Sequence, residues 1–126
     1  MFNGKTGSSS NEKVAIIVPY RSRLNNLKTF TRYMHNFLNA QMVDYTIFLI
    51  EPAANLTFNR GLLINIGFLE ALKIKYIKSN QIYDFDCFIF HEVDLLPENM
   101  ANFYKCNQDR PKQMAIKMSI YKYSYV

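Results

Sequence analysis

The chain reads as an α/β protein on a mostly parallel sheet. Near-continuous apolar runs mark three strands, amphipathic segments lie between them, and the resulting order is β-α-β-α-β. Strands without strict alternation are buried on both faces, as when helices cover both sides of a parallel sheet with right-handed crossovers.

Lys13 to Val18 is short and rich in β-branched residues, and Pro19 ends it. Asn25 or Asn26 is expected to cap the next helix. There Leu27, Phe30, Tyr33, Met34, Phe37 and Leu38 recur three or four residues apart as one apolar stripe. Asp44 to Ile50 returns to strand character, and Pro52 and Asn55 break it into a loop. A second helix is expected from Asn59 to about Ile77, with Leu62, Leu63, Ile66, Leu69 and Leu72 facing inward. Gly67 weakens that helix by propensity, so it predicts close packing against the sheet. Ser79 to Asp84 reads as a linker and Asp86 to His91 as the third strand. Beyond it, Leu95 to Asn99 reads as a turn, Met100 to Cys106 as one helical turn, and Asp109-Arg110-Pro111 as a loop. Met114 to Val126 reads as an edge strand or an unsettled tail. These readings divide the chain into a flexible leader (1–12), one domain (13–111) and a divergent tail (112–126).

At 126 residues, 49% hydrophobic and 20% charged, the composition is that of one globular domain or part of a larger one. The net charge of +5 fits an anionic ligand. Its cations are scattered, without the basic, aromatic-interleaved stripe of a nucleic-acid binder, so no nucleic-acid partner is expected. Lys73, Lys75 and Lys78 are expected on solvated C-terminal helical turns. No apolar segment reaches the roughly 18–20 residues that span a bilayer, and the polar N-terminus lacks a signal-peptide core.

Ligands of such sheets bind beyond the carboxyl ends of the strands. Three loops follow those ends: Pro19 to Arg23, Glu51 to Arg60, and Glu92 to Asp94. Glu92 and Asp94 stand at i and i+2, which places both acids on one side of an extended backbone. Hard oxygen ligands of this kind suit Mg²⁺ or Mn²⁺ completed by substrate phosphates, or else the pair is a solvated acidic terminus. Arg21, Arg23 and Arg60 offer guanidinium forks for phosphate oxygens, and Phe58 offers a ring for a base. Asn59 and Arg60 open a helix whose N-terminus favours an anion. Glycine-rich dinucleotide and Walker signatures are absent. His91 reads as a supporting hydrogen-bond donor or a satisfied strand-end histidine. Cys87 and Cys106 read as two structural thiols in a reducing compartment, or as a disulfide flanking the acid loop in an oxidising one.

These motifs have a family likeness. Val14 to Arg23, Phe58-Asn59-Arg60-Gly61 and Cys87 to Asn99, with Tyr33-Met34-His35 and Asp44 to Ile47, resemble the β-1,4-galactosyltransferase family over roughly Lys13 to Asn107. The resemblance implies a GT-A type nucleotide-diphospho-sugar transferase fold, here as its N-terminal, donor-binding half. It also implies transfer of galactose or N-acetylgalactosamine from a UDP-sugar, with inversion and Mn²⁺, to a glycan acceptor ending in GlcNAc, glucose or xylose. Carried over, Pro19, Tyr20, Arg21, Ser22, Arg23, Phe58, Asn59 and Arg60 would hold UDP. Glu92, Val93 and Asp94 would meet the donor, with Asp94 as the Mn²⁺ ligand. Cys87 and Cys106 match a family disulfide. The family implies the Golgi lumen and a single-pass type II anchor, which this chain lacks.

Three departures stand against the pattern. The family's Asp-x-Asp begins here with Glu92, and the tail drifts from Lys112. The chain also stops before the acceptor segment expected to supply the catalytic base. The alternative reading is a non-catalytic short form that binds UDP or a partner.

Overall fold

A computed structural model describes the backbone of residues 2–3 and residues 12–115. The expected leader and tail therefore lie largely outside the described residues. Phe2–Asn3 (β1) is nonetheless a short strand, antiparallel to the strand Asp44–Ile50, where a flexible leader was expected.

Lys13–Pro19 (β2) leads through Leu24–Ala40 (α1) to Asp44–Ile50 (β3), and then through Arg60–Ile74 (α2). A hairpin of Tyr76–Lys78 (β4) and Gln81–Tyr83 (β5) follows, and then Cys87–Phe90 (β6). The main sheet has the order β1-β3-β2-β6. Both neighbours of β2 run parallel to it, Ile16 pairing with Ile47 on one side and Ile89 on the other. The predicted β-α-β-α-β frame is therefore present, and chain order reverses at β2.

The two faces of β2 split the core. Val14, Ile16 and Val18 pack with Phe30, Met34, Phe37 and Leu38 of α1, and with Tyr45, Ile47, Cys87 and Ile89. Ala15 and Ile17 pack on the other face with Phe48, Ala71, Tyr76 and Phe85. Each face is a dry layer of interdigitated side chains, which explains the unbroken apolar runs.

Several local expectations are corrected. Helix α1 begins at Leu24 with Arg23 at its N-cap and no capping side chain, so Asn25 and Asn26 lie inside the first turn. Helix α2 ends at Ile74 because Lys75 takes a left-handed backbone, φ 64°. Ser79 and Asn80 also have positive φ, the two-residue signature of a tight hairpin turn, so the expected linker is β4–β5. Lys78 thus sits on a strand, its ammonium 3.6 Å from buried Asp44.

The inward face of α2 is Leu63, Ile64, Gly67 and Ala71, whereas Leu62, Ile66, Leu69 and Leu72 are exposed. Close approach decides this: a Cβ built on Gly67 would stand 2.5 Å from Ile17 Cγ2 and 2.8 Å from Ile50 Cγ1. The small-residue face must therefore turn to the sheet, which carries part of the leucine stripe outward. Strand β6 ends at Phe90, one residue before expectation, and Met100 to Cys106 has no helical turn. Gln41 holds that segment instead: its amide donates to the carbonyls of Met100 and Asn102, and its oxygen accepts from Tyr104 N–H.

At the opposite end of the sheet from the three loops, Lys13 pairs with Asp44 at 3.3 Å and Tyr76 donates its hydroxyl to Asp44. This buried group ties the hairpin to the start of β3.

Candidate functional site: a strand-end cleft and two arginine–acid pairs

The three predicted loops meet at the carboxyl edge of β3, β2 and β6, at the reversal of chain order where such sheets open a crevice. Pro19 still belongs to β2, paired with Ile50, and Tyr20 N–H donates to the Ile50 carbonyl at 2.9 Å. The Tyr20 ring is buried in the α1-side core, so its backbone, not its ring, faces the edge.

Ser22 takes a left-handed backbone, φ 50°, and the two flanking arginines go to different loops. Arg21 reaches across to the β3–α2 connection, where its Nη2 donates to the carbonyls of Ala53 and Leu56. Its guanidinium also stands 6.0 Å from the centre of the Phe58 ring. Arg23 turns the other way, its Nη1 lying 3.6 Å from an Asp94 carboxylate oxygen. Arg21, Ser22, Glu51, Pro52, Ala53 and Ala54 line a cleft of about 640 Å³ between these loops.

Asn59 caps α2, its Oδ1 accepting from Leu62 N–H at 3.1 Å. That cap fixes Arg60 at the first helical position, and Arg60 forms an ion pair with Glu92. Phe58, just before the cap, is 42% exposed and presents a ring to solvent beside the cleft.

Glu92, Val93 and Asp94 are not on an extended strand. They form a turn after β6, with Leu95 N–H donating to the Glu92 carbonyl. Val93 is buried in the α1-side core, and the two acids flanking it each meet an arginine. A buried histidine backs the turn. His91 Nδ1 lies 2.7 Å from the Glu92 carbonyl and Nε2 lies 2.7 Å from the Tyr104 hydroxyl. Since a carbonyl only accepts, Nδ1 carries the proton and Nε2 accepts from Tyr104. Burial pushes the His91 pKa down and the Tyr104 pKa up, so both stay neutral.

Cys87 and Cys106 are joined in a disulfide that spans this segment. With Glu12 they form a grouping of three ligand-type side chains, but both sulfurs are spent in the bond. With the sulfurs spent, the hard oxygen donors near the strand ends are the carboxylates of Glu51, which lines the cleft, and of Glu92 and Asp94 on the turn after β6. Asp94 is half exposed and only loosely held by Arg23, so its oxygens suit Mn²⁺, which takes one or two carboxylates and completes its shell with phosphate and water.

Sequence reasoning named the arginines, Phe58, Asn59 and the acid turn. It missed the carbonyls of Ala53 and Leu56 as the partners of Arg21, Gln41 as the brace of the following segment, and Tyr104 as the partner of His91. None of these carries a motif; each is defined by a contact between distant segments.

The family model for the N-terminal region of glycosyl transferase group 7 matches residues 5–107. The chain belongs to the β-1,4-galactosyltransferase family. Human β-1,4-galactosyltransferase 4 is 44% identical over 105 residues, covering 83% of this chain and 28% of that protein. Human β-1,4-galactosyltransferase 1 is 41% identical over 115 residues, 91% of this chain and 27% of the relative. A Lymnaea stagnalis β-N-acetyl-D-glucosaminide β-1,4-N-acetylglucosaminyl-transferase is 42% identical over 112 residues, 89% of this chain and 21% of the relative. The chain thus spans well under a third of these relatives. Among solved structures, a Drosophila β-1,4-galactosyltransferase 7 mutant complexed with manganese, UDP-Gal and xylobiose superposes with a TM-score of 0.63 at 33% identity. That match covers 78% of this chain and 37% of the other. The family fold is therefore the α/β, mostly parallel sheet described above.

Proposed function

We propose that this chain is the donor-binding part of a β-1,4-galactosyltransferase-type hexosyltransferase and holds a UDP-sugar together with Mn²⁺. The observation that carries the reading is the pairing of Arg23 with Asp94 and of Arg60 with Glu92, which joins the loops after β2 and β3 to the turn after β6 at one edge of the sheet. Two cations and two acids at one strand edge match the two halves of a metal–diphosphate: phosphate oxygens for the guanidinium groups, a divalent ion for a carboxylate. UDP-Gal in the Drosophila relative supports the donor class, and xylobiose there supports a glycan acceptor.

Phe58 offers its exposed ring to the base, with Arg21 along one side. Arg21 and Asn59 keep the β3–α2 loop and the α2 N-terminus in place, and Arg23 and Arg60 turn their donors to the diphosphate. Asp94 is the protein ligand for Mn²⁺, with Glu92 alongside to orient Arg60. When bound, the metal neutralises charge that builds on the departing UDP. Transfer with inversion requires a carboxylate base on the acceptor side. Asp84 and Asp86 do not fill that role: Asp84 pairs with Lys75, and Asp86 binds the backbone of Lys13 at the far end of β2. The Cys87–Cys106 disulfide supports a luminal, oxidising setting for this chemistry, in keeping with a Golgi enzyme. No helix among the described residues is long and apolar enough to cross a membrane.

Isothermal titration of UDP with and without Mn²⁺ tests the reading. UDP binding strengthened by Mn²⁺, with that gain lost in Asp94→Ala, is the expected result; identical behaviour of variant and parent sinks the donor site. A second reading, a non-catalytic interaction module, is favoured by the exposed Leu62, Ile66, Leu69 and Leu72 on α2. A stable oligomer by light scattering that is blind to UDP would select it.

A further inference from the structure

The loop that closes the cleft carries a feature the donor site does not use. Asn55-Leu56-Thr57 is an Asn-x-Thr tripeptide with no proline in the middle, the acceptor pattern for N-glycosylation of luminal and secreted chains. Its placement meets the physical needs of that modification. Ala53 to Leu56 is a turn closed by Leu56 N–H donating to the Ala53 carbonyl at 3.0 Å, with Asn55 at its third position. Residues 53–58 are all exposed, so a bulky glycan on Asn55 displaces no packed neighbour. Asn55 is also absent from the residues that line the cleft, whereas Ala53 and Ala54 are among them. The disulfide two strands away supplies an independent sign of a lumen where glycans are added.

We propose that Asn55 is an N-glycan acceptor, and that its glycan stands on the outer rim of the donor cleft. The proposal rests on the luminal placement stated above. The step transfers an oligosaccharide from a polyisoprenyl-diphosphate carrier. The glycosyl C1–O bond to the diphosphate breaks, the C1–Nδ2 bond to Asn55 forms, the amide nitrogen loses one proton, and the lipid diphosphate leaves. Arg21, by donating to the carbonyls of Ala53 and Leu56 on either side of Asn55, braces the turn that presents the acceptor.

The test expresses the full chain behind a cleavable secretion signal in eukaryotic cells, with a second acceptor tripeptide appended after Val126 as a reporter of luminal entry. Two glycans removable by peptide N-glycosidase are expected, with conversion of Asn55 to Asp seen by mass spectrometry. Asn55→Gln and Thr57→Ala should each lose one glycan, and Thr57→Ser should keep both. A chain glycosylated on the appended acceptor alone overturns the proposal. The readout involves neither UDP nor Mn²⁺: a glycosylated chain that binds no nucleotide would remove the donor reading and leave this one standing.

Discussion

Arg60 at the first position of α2 and Glu92 just beyond β6, 32 residues apart in the chain, form an ion pair across the carboxyl edge of the sheet. Both side chains are substantially exposed, so solvent screens the pair and its part in stability is under about 1 kcal/mol. A contact of so little structural value leaves both groups free to exchange partners, as the proposed donor site requires.

Removing the cation should therefore separate binding from stability. Arg60→Ala is expected to weaken UDP binding in Mn²⁺ by about 10- to 100-fold, the loss of a charge-assisted hydrogen bond to phosphate. Its thermal midpoint should stay close to the parent's. Titration calorimetry and melting curves on the same preparation check both halves.

Arg21 has a different role, because its donors go to the protein's own carbonyls. Arg21→Ala should release the β3–α2 loop, raising amide exchange across Leu56 to Asn59 before any nucleotide is added. Unchanged exchange there would show that Arg21 does not hold the loop.

Gly67 tests the helix–sheet approach. Its substitution by Ala forces a methyl against Ile17 and Ile50 and is expected to cost about 1–3 kcal/mol from overpacking. The denaturant midpoint should fall at constant slope.

The pH dependence follows from His91. Burial holds its folded pKa below the ordinary 6.5, so the unfolded chain binds a proton that the native chain refuses. Stability contributed by the neutral imidazole is present above pH 6.5 and falls as pH drops below it, by up to about 1.4 kcal/mol per pH unit, until the folded pKa is reached. Melting curves from pH 7.5 to 5.5 should show the decline, and His91→Gln should flatten it.

The disulfide gives a further expectation. Cys87 and Cys106 close a loop with a sequence separation of 19, for which the chain-entropy estimate is roughly 3 kcal/mol. Reduction should lower the melting midpoint and weaken UDP binding together, since the acid turn lies inside that loop. Melts and titrations with and without a thiol reductant measure it.

The strands were legible because burial on both faces leaves an unbroken apolar run in Val14 to Val18 and a nearly unbroken one, interrupted by Thr46, in Tyr45 to Ile50. The edge loops were legible because Arg21, Arg23, Phe58, Arg60 and the acid pair are chemically conspicuous at strand ends. What was not legible depends on a third body. Helix α2 is apolar nearly all round, so periodicity alone cannot choose its inner face; the approach of Ile17 to Gly67 chooses it. The β4–β5 hairpin hides behind Ser79 and Asn80, neither of which is the glycine that normally announces such a turn. Gln41 and Tyr104 are ordinary surface types until the chain brings them together.

The central position of β2 also sets an order of assembly. Strand β3 follows β2 after a single helix, but β6 must find β2 across 73 residues, as the backbone of Lys13 finds Asp86. Contacts of long sequence separation form late. During synthesis, β2 and β3 can zip together while the other edge of β2 waits, and the Glu92–Asp94 turn arrives only with β6. A chain still in the hands of folding helpers therefore has its arginines in place and its acids elsewhere. The arginine loops and the acid turn come together only when β6 docks on β2, so the two ion pairs report on that docking.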